Sequence, residues 1–101
     1  MKMIYVTCNV SVREPLINML EGHSITDYQI IEQVPAKNIK GDPRLNTAVW
    51  PSHNSSIFMQ FSDDEDAKET MQLIRGFNKE AFNDNELVTA CMWTIDDYFY
   101  E

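Results

Sequence analysis

Cations are scarce in this chain. Eight Lys and Arg face sixteen Asp and Glu, a formal charge of −8 over 101 residues. A surface of that sign repels phosphate backbones, so nucleic acid is not an expected partner. Thiols are scarcer still: Cys8 and Cys91 are the two cysteines, without C-x-x-C spacing, and read as reduced thiols in a cytoplasm. No apolar run approaches the roughly 18 residues that a membrane span needs. The run from Met3 is interrupted by Thr7, Asn9 and Ser11 and lacks a small-residue cleavage site, so no signal peptide is expected either. Catalytic signatures are also missing: there is no G-x-S-x-G, no H-E-x-x-H and no P-loop. The acids Asp63, Asp64, Glu65 and Asp66 suit a helix start, where the macrodipole favours carboxylates, and Asp96-Asp97 suits a solvated strand end. The chain is not expected to be an enzyme.

What is present is a globular composition, 44% hydrophobic and 24% charged, in a length that fits a single domain over residues 1–101 with one two-layer core. Alternation over residues 3–10 predicts a strand with Ile4, Val6, Cys8 and Val10 on one face and Met3, Tyr5, Thr7 and Asn9 on the other. Ser11 through Glu14 reads as a capping box, Val12, Leu16, Met19 and Leu20 as one helical face, and Gly22 as the stop. A second strand is expected over 26–34. Residues 35–55, with Pro35, Gly41, Pro43 and Pro51, hold no sustained period and read as a long loop. A third strand over 56–61 ends in a second capping box, Ser62 to Glu65. The helix it opens turns Ala67, Met71, Ile74 and Phe77 inward. Asn83-Asp84-Asn85 makes a turn, and a last strand is expected over 87–95, followed by the tail 96–101.

The order βαββαβ, with right-handed crossovers, defines an α+β, ferredoxin-like sandwich: an antiparallel four-stranded sheet with two helices on one face. The opposite face of such a sheet should be polar. Here it holds Met3, Tyr5 and Phe58, together with either Ala90 and Met92 or Cys91, Trp93 and Ile95. An apolar face of that extent is a liability on a monomer, so other copies of the chain are expected to cover it in a closed homo-oligomer.

The layout, the Glu21-Gly22-His23-Ser24-Ile25-Thr26-Asp27-Tyr28-Gln29-Ile30 junction and the Gly41-Asp42-Pro43-Arg44-Leu45-Asn46-Thr47-Ala48-Val49-Trp50-Pro51 loop resemble the PII signal-transduction superfamily, with its PII-like and CutA relatives. The resemblance implies a homotrimer in which three sheets surround an axis, a T-loop at residues 35–55, and a regulatory role in signal transduction. It departs from true PII proteins at two phosphate-holding segments. Asn78-Lys79-Glu80 and Asp96-Asp97 stand where Gly-rich and basic residues would cradle ATP, and the loop has no tyrosine.

The loop nonetheless carries Lys37, Lys40 and Arg44 against Asp42, a balance of +2 that leaves −10 for the rest of the chain. Such a segment suits a small anion or nucleotide, or a target protein reached through residues 35–55; pairing of these cations with neighbouring subunits is the competing reading. Trp50 and His53, at the loop's return, are candidates to line an intersubunit cleft; the plainer roles are anchoring of the returning loop for Trp50 and a solvated turn residue for His53. The ligand-binding candidates are therefore Lys37, Lys40, Arg44, Trp50 and His53. The alternative is a CutA-like, metal-responsive protein holding a divalent metal through His53 and His23. No two of the histidines, cysteines or six methionines show ligand spacing, and methionines in regular elements usually fill core space.

Overall fold

Strand runs into helix without a linker at the N-terminus. In the computed structural model, which describes residues 1–37, 39 and 41–100, strand β1 covers Lys2–Asn9 and helix α1 follows at once over Val10–Gly22. The cap is Asn9 rather than Ser11: its side-chain oxygen accepts the Ser11 N–H at 3.1 Å. Gly22 is the last helical residue rather than the stop. The reversal is made by Ser24, whose φ of 66° is left-handed, while the Ile25 N–H returns to the Leu20 carbonyl at 3.0 Å.

Strand β2 is Gln29–Val34, shorter than expected at its start, and β3 is Asn54–Phe61, two residues longer at its start. Helix α2, Asp64–Lys79, is capped by Asp63, not Ser62, with the Glu65 N–H donated to its carboxylate at 2.8 Å. A short 3-10 turn, Asp84–Glu86, leads to strand β4, Thr89–Thr94. The sheet is antiparallel in the order β2-β3-β1-β4. No helix among the described residues is long and apolar enough to cross a membrane.

Alternation places Ile4, Val6 and Cys8 of β1 beside Ile57 and Met59 of β3, and Val12, Leu16, Leu20, Ala67 and Ile74 of the helices seal them from water. Met71 and Phe77 reach this core from its margin, and Thr70 is fully buried by returning its hydroxyl to the Asp66 carbonyl at 2.8 Å.

The register also identifies the face that no helix covers. Tyr5 lies opposite Phe58 and Cys91, and Met3 opposite Trp93, so Cys91 and Trp93 point away from the helices and Ala90 and Met92 toward them. The Tyr5 and Phe58 rings stand 5.0 Å apart at 47°, and the Tyr5 hydroxyl bonds Ser56 at 3.1 Å. Trp93 and Ile31 remain 45% and 49% exposed.

Candidate functional site

The long loop is folded back on the body at its base. Ala36 and Arg44 exchange both backbone hydrogen bonds at 2.7 Å, closing the first half into an antiparallel bridge. Gly41 takes φ 82°, and a Cβ there would stand 2.6 Å from the Asn85 side-chain oxygen, so the position needs glycine for two reasons. That same oxygen accepts the Asp42 N–H at 2.8 Å, which ties the loop to the turn between α2 and β4. The second half is a compact turn: the Thr47 and Leu45 N–H groups reach the Trp50 carbonyl, and Asn46 and Ser52 adopt left-handed φ values of 55° and 72°. Ser52 then donates to the Asn9 side chain at 3.1 Å, joining the loop's return to the cap of α1.

Arg44 lies where these segments meet, and it is 3% exposed. Its Nη1 donates to Asn54 Oδ1 at 2.7 Å and its Nη2 to the Asn85 carbonyl at 3.3 Å. Asn54 is held in turn by donating to Thr7 at 3.0 Å. Every described acceptor of this guanidinium is a neutral amide oxygen. Among the described residues Arg44 forms no ion pair, and its Nε has no hydrogen-bond partner. A buried charge normally has a counter-charge and a full set of acceptors, because losing water costs several kcal/mol as a rough scale. Here the cation is half provided for, beside a hollow of about 300 Å³ lined by Asn9, Asp42, Pro43, Arg44, Val49, Trp50, Pro51, Ser52 and Asn85. Burial pushes the nearby Cys8 thiol up to about 11, against the opposing pull of the Arg13 and Arg44 charges.

Of the residues read from the sequence, the structure brings Arg44 and Trp50 together on this hollow. Arg44 is a buried strut of the loop base. Lys37 is exposed and outside the lining, and Lys40 lies outside the described residues. His53 is half-buried, its Nδ1 3.1 Å from the Asn54 carbonyl oxygen, and its own carbonyl accepts the Val10 N–H that begins α1. His23 caps the other end of that 13-residue helix. At 1.5 Å per residue the two imidazoles are separated by about 20 Å of helix, so one subunit cannot close both on one ion. No group of three or more His, Cys, Asp or Glu among the described residues has the geometry to hold a metal.

Asn9, Ser52, Asn54 and Asn85 are the site residues that the sequence reading missed. Asn85 had appeared only as part of a turn. Its bond to the loop spans 43 positions, a separation no local pattern encodes.

A larger hollow of about 760 Å³ opens at the opposite end of α1, between the α1–β2 connection and α2. It contains no buried charge; its carboxylates stand exposed on the rim. The loop base is therefore the better candidate for a built anion site, although it is the smaller space.

The sequence matches no protein-family model and no curated protein. Solved structures do match. A protein of Thermus thermophilus described as a PII-like signaling protein superposes with a TM-score of 0.58 at 15% identity, covering 91% of this chain and 83% of its own. CPII of Thiomonas intermedia, a nitrogen regulatory PII-like protein solved with ADP, AMP and bicarbonate, gives 0.64 at 11% identity, covering 95% and 88%. At these identities the likeness establishes the fold: the chain has the βαββαβ, ferredoxin-like architecture of PII-like proteins.

Proposed function

We propose that this chain, built on the PII-like fold, is a non-enzymatic regulatory protein that binds a small oxyanion at the base of its long loop. The observation that carries the reading is the buried Arg44 guanidinium with neutral acceptors and an unpartnered Nε beside a hollow. An oxyanion entering there supplies the missing counter-charge, and the Ala36–Arg44 backbone bridge and the Asp42 N–H bond to the Asn85 side chain make the loop's position depend on what Arg44 holds. The hollow sets one cation against the Asp42 carboxylate, which suits a singly or doubly charged ligand and disfavours a polyphosphate. CPII, bound to ADP, AMP and bicarbonate, supplies the ligand classes to try first.

The reading includes a homotrimer. Its support is the uncovered sheet face with Met3, Tyr5, Phe58, Trp93 and Ile31, which a monomer would leave in water. In such an assembly the loop bases would border neighbouring subunits. The exposed Ile39, Val49 and Trp50 would then be the part of the loop available to a target protein. Two free thiols agree with a cytoplasmic setting.

Calorimetric titration with bicarbonate, inorganic phosphate, AMP, ADP and ATP tests the function. Binding of bicarbonate, phosphate or AMP that disappears in Arg44→Lys supports it, because lysine keeps the charge but loses the planar fork. Tight ATP binding that survives Arg44→Lys would place the ligand elsewhere.

A further inference from the structure

The hollow at the far end of α1 has a different chemistry. One wall is the connection His23–Asp27; the other is α2, through Asp66, Glu69 and Thr70. Its floor is apolar, made by Ile25, Phe61 and Leu73, and Ile25 and Phe61 are packed against the core. Its volume of about 760 Å³ lies within the range of small-molecule sites. Three carboxylates, Asp27, Asp66 and Glu69, overlook it, with no Lys or Arg among its described lining residues. None of the three enters an ion pair among the described residues, and Lys68, on the same helix, is engaged by Glu65 at 3.3 Å. Asp66, in the first turn of α2, and Glu69 stand at i and i+3 on one side of that helix.

These carboxylates do not converge as a metal site requires. They are spread along the walls over a hydrocarbon floor. The fitting cation is therefore one whose charges are also spread, with apolar carbon between them. We propose that this cleft binds an aliphatic diamine or polyamine, ammonium groups on Asp27, Asp66 and Glu69 and methylenes on Phe61, Ile25 and Leu73. The site is independent of the anion site at the other end of α1.

Calorimetry at low salt with spermidine, 1,4-diaminobutane and butylamine tests it, each measured against Mg²⁺ as competitor. Affinity should rise with the number of ammonium groups, butylamine weakest. Asp66→Asn, Glu69→Gln and Asp27→Asn should each weaken spermidine binding about three- to fivefold, the scale of an exposed ion pair. Arg44→Lys should leave it unchanged, which separates this site from the loop base. The ligand series needs no variant, so a misfolded mutant cannot leave the matter open. Absence of spermidine binding at millimolar concentration would overturn the proposal. So would equal displacement by equimolar Mg²⁺, or affinity unchanged in the Asp66→Asn/Glu69→Gln double variant.

Discussion

The two ends of α1 show what burial does to a charge. At the N-terminal end a single guanidinium is shut in with neutral oxygens, while at the C-terminal end three carboxylates stand in water over an apolar floor. The exposed acids are screened and cost little, so a ligand gains little from each of them. The enclosed cation has already lost its water, so it shapes the loop around it and has most to gain from a counter-ion. The same chemistry of opposite charges is thus strong at one end and diffuse at the other.

The largest expected change breaks the buried end. Arg44→Met should remove about 2–4 kcal/mol of stability, since Asn54 Oδ1 and the Asn85 carbonyl both lose their donor inside the protein. Denaturant unfolding measures this directly, and a loss below about 0.5 kcal/mol, the range of ordinary surface changes, would mean that Arg44 is no strut.

Next comes the uncovered sheet face. Tyr5→Glu should convert a trimer into monomers or aggregate, read as mass by light scattering; a wild-type mass of one chain would end the trimer reading. Third is Gly41→Ala, where the left-handed φ and the 2.6 Å approach to Asn85 together should cost about 1–2 kcal/mol. Its midpoint should fall with the slope of unfolding unchanged.

An effect absent at neutral pH, seen only in alkali, follows from Cys8. Its folded thiol is raised from 9 to about 11, so the unfolded chain loses that proton first. The stability it contributes is full below about pH 9 and declines as pH rises toward 11, at up to about 1.4 kcal/mol per pH unit. Cys8→Ala should flatten that decline. At pH 8, a thiol reagent should leave the buried Cys8 unmodified until the protein unfolds.

Much of the fold was legible because its signals are local. Alternation in β1 named Ile4, Val6 and Cys8 as core, and the spacing of Val12, Leu16 and Leu20 named the inner face of α1. The caps were displaced for a local reason too: Asn9 and Asp63 each reach an N–H two positions on, a role that Ser11 and Ser62 were expected to fill. The apolar outer face of the sheet was legible, but its membership in β4 awaited the register that pairs Tyr5 with Cys91. The site was much less so. Arg44 looked like a loop cation because Asn54 and Asn85, which bury it, are 10 and 41 positions away. Side-chain bonds to asparagine leave no periodicity to detect.

The central claim, that Arg44 receives the ligand, can be read at one atom. The ¹⁵N–¹H resonance of Arg44 Nε, assigned by its loss in Arg44→Lys, should shift and exchange more slowly as bicarbonate or AMP saturates the protein. Its partnerless donor then gains an acceptor. Saturable anion binding that leaves this resonance unmoved would contradict the account.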